Sequence, residues 1–296
     1  MFRGIFPALA TPFRPDGAID LPGLGRNLER YNQTDLAGYV VLGSNGEFAL
    51  LEWEEKLALI EFVRSKAGPG KRVIAGISAE STRETIRLSR SAADLGVDAV
   101  LVLPPHYYKV SMNDAALERY FLDIAEATPV PLFLYNMPAN TGLNLSSGLV
   151  KRLALHPNIA GLKDSGGNIV QIAEVIAGVR PDFSVFAGSA SFLFPTLVLG
   201  GHGATSALAN VLPEICLQIY QAMQQGDYPK ARNLQLQILA ANTAVTSRWG
   251  IAGLKKALDL LGYVGGIPRR PILPLDESLV PELTSILRAA GANLNA

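Results

Sequence analysis

Residues 38–78, GYVVLGSNGEFALLEWEEKLALIEFVRSKAGPGKRVIAGIS, contain a short apolar run, an amphipathic stretch and a second apolar run. In the middle part, Leu57, Ile60 and Val63 recur at helical spacing with charged residues opposite them, which predicts an amphipathic helix. The two flanking runs have the β-branched and small apolar residues that are typical of buried parallel strands. The stretch therefore predicts a strand–helix–strand unit, and the fold depends on how often that unit recurs.

The same alternation continues along the chain to about residue 210. Eight candidate strands have this character, at residues 4–10, 38–44, 72–78, 99–105, 131–137, 159–165, 184–190 and 203–209. Eight strands at fairly even spacing, each followed by a helix, predict an α/β fold of the (β/α)₈ TIM-barrel type. A doubly wound open sheet typically has fewer strands and a G-x-G-x-x-G turn after the first. The first strand here runs into TPFRPDG instead, which favours the barrel.

Beyond the eighth strand the sequence has only helical patterns, in LPEICLQIYQAMQQGDYPKARNLQLQILAANTAV, IAGLKKALDLLG and SLVPELTSILRAAG. We predict a barrel over residues 1–212 and a C-terminal helical segment over residues 213–296. No long polar linker separates the two, so we expect one structural unit. The helical segment should pack beside the barrel or line an entrance to it.

Composition limits the classes of partner. Hydrophobic residues make up 49% of the chain and charged residues 18%, with a formal net charge of zero, which indicates a compact globular protein. Because no basic field is present, neither nucleic acid nor an anionic membrane is an expected partner. Small molecules or copies of the chain itself fit better. No apolar run could span a membrane, and MFRGIFPALATPF does not resemble a secretory signal, so we expect a cytoplasmic protein.

In a TIM barrel the active site lies at the C-terminal ends of the strands. These positions carry hydroxyls, phenols, glycines and one lysine, in Thr11, GSNGE (43–47), Ser78, PPHYY (104–108), YNMP (135–138), KDSGG (163–167), GSAS (188–191), Thr205 and Ser206. Such a ring suits an oxygen-rich anionic substrate. Backbone N–H groups near Gly46 and Gly188 are expected to help bind it.

Lys163 is the only lysine that ends an apolar strand. Apolar surroundings should lower the pKa of its amine, which could then attack a carbonyl and form a Schiff base. The alternative is a structural lysine paired with a carboxylate. Asp164 is not an obvious partner, because successive residues of a strand face opposite ways. Tyr135 ends the preceding strand, so its phenol either shuttles a proton beside Lys163 or is that of a core tyrosine.

The remaining polar features are weaker signals. Ser44 could relay a proton within GSNGEF, although Asn-Gly is also ordinary in a strand-to-helix turn. Tyr107 and Tyr108 either pack together on a loop or project into a neighbouring subunit.

Cysteine and histidine residues are few. The single cysteine, Cys216, excludes an intramolecular disulfide and a cysteine-based zinc cluster. His106, His156 and His202 are the only histidines, and none has another one helical turn away. A zinc-dependent aldolase would want a histidine cluster, so no metal is predicted and imine chemistry fits better.

The motifs GSNGE, YNMPANTG and GLKDSGG, in this order and spacing, resemble the dihydrodipicolinate synthase and N-acetylneuraminate lyase superfamily over essentially the whole chain. The resemblance implies a class I lyase in which Lys163 forms the imine with a pyruvate-type oxoacid and Tyr135 donates and accepts protons. Ser44 and Tyr107 would be relay partners, with Tyr107 reaching across a tight dimer. The resemblance also implies a homotetramer built as a dimer of dimers.

The resemblance also assigns substrate-binding residues. Asn45 and Thr205 would bind the oxoacid carboxylate, while Ser165 and the glycines beside it leave room for the imine. The full predicted set of substrate-binding residues is Asn45, Gly46, Asn140, Ser165, Gly188 and Thr205. No cofactor is implied, because the iminium is itself the electron sink.

Within the superfamily, PANTGL, HPNIAGLKDSGG and GIAGLKKALDLLGYVGG are most similar to 4-hydroxy-2-oxoglutarate aldolases. Dihydrodipicolinate synthases typically have two threonines at Ser44 and Asn45, and an arginine at Asn140 that grips the aldehyde's carboxylate. The expected reaction is therefore cleavage of 4-hydroxy-2-oxoglutarate to pyruvate and glyoxylate, although no arginine in these motifs is an evident partner for a second carboxylate. Dihydrodipicolinate synthesis, another sugar-acid lyase or dehydratase, and a non-catalytic oxoacid sensor stay open as alternatives.

Overall fold

Eight parallel strands surround one core, as the sequence predicts. The computed structural model describes residues 1–294. The strands are β1 Gly4–Pro7, β2 Gly38–Val41, β3 Arg72–Gly76, β4 Ala99–Val102, β5 Leu132–Asn136, β6 Ile159–Asp164, β7 Ser184–Ala187 and β8 Gly203–Ser206. Each is shorter than its predicted run, because the chain turns away at the C-terminal end into the loops that carry the polar residues.

Strand pairing makes a nearly closed barrel. The order is β1-β8-β7-β6-β5-β4-β3-β2, with parallel pairing throughout. The ends of this sheet meet where β1 approaches β2: the Leu9 amide donates to the Val40 carbonyl at 2.9 Å, and the Ala37 amide to the Ile5 carbonyl at 2.9 Å. The fold is therefore the predicted TIM barrel.

Helices follow the strands and cover the barrel. They are α1 Leu21–Asn32, α2 Trp53–Lys66, α3 Thr82–Asp94, α4 Asp114–Ala127, α5 Pro138–Thr141, α6 Ser147–Leu153, α7 Ile169–Gly178, α8 Leu193–Val198, α9 Pro213–Gln224, α10 Tyr228–Gln237, α11 Leu239–Thr243, α12 Gly250–Leu260 and α13 Val280–Ala289. A π-helix, Ala244–Arg248, separates α11 from α12. The Ser81 side chain accepts from the Glu84 amide at 3.2 Å and so caps α3.

Phenylalanine rings fill the barrel interior. Phe133 stacks on Phe186 with ring centroids 5.6 Å apart, and Phe6 and Phe2 pack against these two rings. Gly161 leaves the space that the Phe133 ring needs, since a Cβ there would lie 2.4 Å from it. The interior is thus a packed core below the strand ends.

The C-terminal helices pack against the barrel. Helix α9 contacts β1, and α11 contacts the turn Ala190–Phe192 after β7. The predicted division at residue 212 stays a prediction, although α9 does begin at Pro213. Within residues 1–294, no helix combines the length and the apolar character needed to cross a membrane.

Candidate active site

Lys163 and Tyr135 lie side by side on neighbouring strands. They are directly paired in the register of β5 and β6, as their positions at two strand ends predict. Both are buried, with 2% of Lys163 and 4% of Tyr135 exposed. The Lys163 Nζ lies 4.1 Å from the centroid of the Tyr135 ring. An amine and a phenol therefore share one buried environment.

The phenol of Tyr135 has a lowered pKa. Burial alone would raise the pKa, but the charge of Lys163 and hydrogen bonds with Ser44, Lys163 and Ser165 together outweigh burial. The Ser44 Oγ lies 3.5 Å from the Tyr135 hydroxyl, which is long for such a bond. The lowered pKa makes the Tyr135 phenol better suited to exchange a proton with a substrate.

Asp164 faces away from the amine, as strand alternation predicts. Its Oδ2 accepts from the Asn136 Nδ2 at 2.8 Å, and its Oδ1 accepts from the amides of Gly166 and Gly167 at 2.9 and 3.2 Å. The carboxylate thus orders the loop that follows β6. Lys163 is left to face the barrel axis.

One cavity of about 470 Å³ lies above this pair. Seven of the predicted site residues line it: Ser44, Asn45, Tyr135, Asn140, Lys163, Ser165 and Gly188. Their roles stay predictions, but the structure brings their positions together. The cavity is large enough for an oxoacid of a few carbons.

The amides of Gly46 and Gly188 themselves donate within the chain, so substrate binding by backbone N–H groups near these glycines stays a prediction. The Gly46 amide donates to the Gly43 carbonyl at 3.0 Å, and the Gly188 amide donates to the Asp164 carbonyl at 2.6 Å. Gly188 matters through its missing side chain, because a Cβ there would lie 2.0 Å from the Ser165 Oγ. Gly46 itself does not line the cavity; its carbonyl accepts from the Thr11 hydroxyl at 2.9 Å.

Two further predicted residues lie outside the cavity lining. Thr205 is buried in β8, and its hydroxyl has no hydrogen-bond partner within the described chain. Tyr107 is 77% exposed and packs edge-on against Tyr108, with centroids 5.0 Å apart. The Tyr107 amide is held by the Glu80 carboxylate at 2.9 Å. A single chain does not bring the Tyr107 hydroxyl to the cavity.

The C-terminal segment forms one wall of the cavity, although the sequence predicted no site residue in this segment. Val245, Thr246 and Ser247 of the π-helix and Gly250 and Ile251 of α12 line it. The sequence predicts that this segment packs beside the barrel or lines an entrance, and in the structure it contributes residues to the cavity lining. Single-turn π-helical irregularities frequently occur at functional sites.

Sequence reasoning also missed a buried ion pair below the GSNGE turn. The Lys255 Nζ lies 2.5 Å from the Glu47 Oε1, and both side chains are fully buried. The signal available in the sequence was the acid of GSNGE, which needs a cationic partner if it is buried. Among the described residues, no group of three histidine, cysteine, aspartate or glutamate side chains is arranged to hold a metal ion.

Comparison with known proteins agrees with this geometry. A family model described as the dihydrodipicolinate synthetase family matches residues 1–290. The chain belongs to this family. Its members include a 4-hydroxy-tetrahydrodipicolinate synthase from Methanosphaerula palustris, 38% identical over 290 residues, which cover 97% of this chain and 99% of the relative. One of the same name from Methanoculleus marisnigri is 37% identical over the same shares of both chains.

Solved structures of dihydrodipicolinate synthase family members superpose closely. YagE, a prophage protein of the family from E. coli in complex with pyruvate, gives a TM-score of 0.92 at 34% identity, covering 99% of this chain and all of the other. The dihydrodipicolinate synthase from Cyanidioschyzon merolae with lysine bound gives 0.94 at 30% identity, covering 99% of each chain. The chain is therefore similar in sequence and in fold to a family whose enzymes are of the lyase and synthase type.

Proposed function

We propose that this protein is a class I lyase whose Lys163 forms a Schiff base with a pyruvate-type 2-oxoacid. The observation that carries the proposal is the buried Lys163 Nζ beside the Tyr135 ring, 4.1 Å from its centroid, at the floor of the cavity. A desolvated amine next to a proton-transfer group is the arrangement that imine catalysis needs. The pyruvate bound to the related protein YagE supports the substrate class.

The reaction begins at the C2 ketone of the oxoacid. The neutral Lys163 amine attacks this carbon, and the carbinolamine loses water to give an iminium ion. Tyr135 then takes the proton of the C4 hydroxyl, and the electrons of the C3–C4 bond move into the iminium to give an aldehyde and an enamine. Protonation at C3 and hydrolysis of the imine release pyruvate and restore the amine. No cofactor is needed in this scheme, because the iminium accepts the electron pair.

Ser44 and Tyr107 are the proposed proton relay. Ser44 contacts the Tyr135 hydroxyl at 3.5 Å and lies at the cavity wall. Tyr107 can take part only if it comes from another copy, since it is exposed on its own chain. We therefore also propose the homotetramer, a dimer of dimers in which Tyr107 completes a neighbouring site. Cytoplasmic location remains part of this proposal.

For the aldehyde product, the specific proposal is glyoxylate, released by cleavage of 4-hydroxy-2-oxoglutarate, and it rests on the resemblance of the motifs to 4-hydroxy-2-oxoglutarate aldolases. Asn140 lines the cavity where an arginine would grip the carboxylate of aspartate semialdehyde, and no arginine lines it within residues 1–294. Asn45 and Thr205 are proposed to bind the oxoacid carboxylate. Ser165, Ser189 and Ser191 also line the cavity and are proposed to contact the second carboxylate of this substrate, although the hydroxyls of Ser189 and Ser191 already accept from the Asn242 Nδ2.

Synthesis of 4-hydroxy-tetrahydrodipicolinate from pyruvate and aspartate semialdehyde is the second candidate. The names of the relatives support this reaction, since seven curated proteins at 32–38% identity carry it. On the comparisons alone it is better supported than the aldolase reaction. The two candidates share the enamine of pyruvate on Lys163, and they differ in the aldehyde and in whether the bond to that aldehyde is broken or formed.

Product analysis separates the candidates. The purified protein is incubated with 4-hydroxy-2-oxoglutarate in one reaction and with pyruvate plus aspartate semialdehyde in another. Release of glyoxylate and pyruvate in the first supports the aldolase. Activity in the second alone would establish the synthase and reject our choice. A sensor would show neither reaction, and pyruvate with borohydride would leave the mass of its Lys163 peptide unchanged.

A further inference from the structure

The proposed reaction makes no use of the buried ion pair between Glu47 and Lys255. Their charged atoms lie 2.5 Å apart, and side-chain exposure is 0% for Glu47 and 1% for Lys255. Burying two charges is unfavourable unless their geometry is good and their remaining hydrogen-bonding capacity is satisfied.

The remaining hydrogen bonds of the pair reach a third segment. The Glu47 Oε2 accepts from the Arg269 amide at 2.7 Å, and the Lys255 Nζ donates to the Ile267 carbonyl at 2.7 Å. The Phe13 ring lies against both cations, 4.3 Å from the Lys255 Nζ and 4.4 Å from the Arg269 guanidinium carbon. The pair is thus the centre of a network.

Glu47 directly follows the turn that carries two proposed site residues. The 3₁₀ turn Ser44–Gly46 ends at Glu47, whose φ of 57° lies in the left-handed region. This conformation is unfavourable for a residue with a side chain and persists only where surrounding contacts enforce it. Here the enforcing contacts are those of the Glu47 carboxylate, so the same contacts fix the turn that presents Ser44 and Asn45.

Lys255 lies on the other element of the cavity. It follows Ile251 by one helical turn on α12, and Ile251 and Gly250 line the cavity. Residues four apart on a helix share a face. The ion pair therefore joins the Ser44–Gly46 turn to the helix that forms the C-terminal wall.

We propose that Glu47 and Lys255 are positioning residues that hold the Ser44–Gly46 turn against α12. Through this turn they fix the distance from the Ser44 Oγ to the Tyr135 hydroxyl, and with it the proton transfer at Tyr135. The inference rests on the proposed imine chemistry of Lys163. Neither residue contacts the reacting atoms.

The test uses pyruvate alone, so it does not depend on which aldehyde is the partner. Pyruvate with borohydride labels Lys163 and reports imine formation. Exchange of the pyruvate methyl hydrogens in deuterium oxide, followed by proton NMR, reports the proton transfer that forms the enamine. Both are measured with the melting temperature for Glu47→Gln, Lys255→Met, the double variant and Lys256→Met. Lys256→Met is the matched control, because it breaks the exposed pair with Glu277 one residue along the same helix.

The two single variants are expected to melt earlier, since each leaves one charge buried without its partner. The double variant should melt close to the wild type, because it has no unpaired charge. In the double variant, labelling of Lys163 should persist while hydrogen exchange stays slow by roughly 10²-fold, the scale of an ångström-sized displacement at a site. The control should match the wild type in all three measurements.

Each other outcome has one meaning. If hydrogen exchange recovers together with the melting temperature in the double variant, the pair is only structural and the inference is wrong. Wild-type exchange rates in a folded single variant would reject it equally. If the single variants do not fold, the double variant decides alone. If the wild type forms no Lys163 adduct, the proposed function itself fails, and the positioning role fails with it.

Discussion

At the scale of single residues, Tyr135 is the group that moves protons in the proposed reaction. Burial would raise the pKa of its phenol, but the charge of Lys163 and the hydrogen bonds around the hydroxyl lower it. The lowered pKa makes the phenolate more accessible, so Tyr135 is suited to accept the proton of the C4 hydroxyl when the C3–C4 bond breaks.

Tyr135→Phe is expected to remove the proton transfer and keep the ring. Exchange of the pyruvate methyl hydrogens should slow by about 10²- to 10⁴-fold, the usual contribution of a general acid–base group. Labelling of Lys163 by pyruvate and borohydride should persist. Tyr39→Phe is the control, since Tyr39 bonds Asn32 away from the cavity. Unchanged exchange in Tyr135→Phe would show that another group moves the proton.

Asn140→Arg tests the choice of aldehyde. An arginine at this position of the cavity wall offers a paired hydrogen-bond donor to a carboxylate. We expect the KM for aspartate semialdehyde to fall, because the arginine gives the carboxylate of this aldehyde a cationic partner. Asn140→Gln supplies a side chain of intermediate length without charge. Equal effects of the two substitutions would mean that volume, and not charge, selects the aldehyde.

The sequence predicts the site residues that lie at the ends of strands. Lys163 and Tyr135 end apolar runs, so strand alternation and barrel topology suffice to bring them together. Glu47 and Lys255 could not be paired in this way, because they meet only through the tertiary packing of the C-terminal segment. The space that Gly188 leaves for Ser165 could not be predicted either, because it depends on the register of two strands.

At the scale of elements, the loop after β6 depends on one carboxylate. Asp164 accepts hydrogen bonds from Asn136, Gly166 and Gly167. Asp164→Ala should lower the free energy of unfolding by about 3 kcal/mol, because buried donors lose their acceptor. Urea unfolding measures this. Asp182→Ala, which breaks an exposed pair with Arg180, should change it by less than about 0.5 kcal/mol and is the control.

Elements with a strong hydrophobic period were predictable, and their ends were not. All eight strands occur where the apolar runs place them, but residues 42–44 leave β2 because Leu42 turns into the left-handed region with a φ of 58°. The π-helix Ala244–Arg248 has no such periodic signal. A π-helical hydrogen-bond pattern depends on tertiary packing, and the periodicity of the sequence does not show that packing.

At the scale of the whole molecule, the buried Lys255 makes stability depend on alkaline pH. Burial lowers its pKa to about 8 from 10.5, against the opposing effect of Glu47. Between these values the unfolded chain binds a proton that the native chain does not, so the free energy of unfolding rises with pH. Relative to the double variant Glu47→Gln with Lys255→Met, the free energy of unfolding of the wild type should rise as the pH increases from about 7 to about 10. Urea unfolding at both values would show no relative gain if Lys255 stays charged.

The proposed tetramer predicts that the loop after β4 lies in a contact between subunits. Tyr107, Tyr108 and Val110 are 77%, 71% and 101% exposed, and in a dimer they should be buried against a second copy. Val110→Asp should dissociate the assembly, because it places a charge in that contact. Sedimentation velocity measures the mass, with Val110→Thr as the control of similar shape. A wild type that sediments as a monomer would contradict the tetramer and leave Tyr107 outside the site.

The barrel interior and the loops above it differ in how many substitutions they tolerate. The interior is filled by the packed rings of Phe2, Phe6, Phe133 and Phe186 and tolerates few. Folding depends on the rings at the centre of the barrel, whereas the choice of aldehyde depends on loop residues above them. Substitutions at loop residues that line the cavity without bonding the loops together, such as Asn140, are therefore expected to cost little stability. Substrate specificity in such a barrel can change faster during evolution than the barrel fold itself.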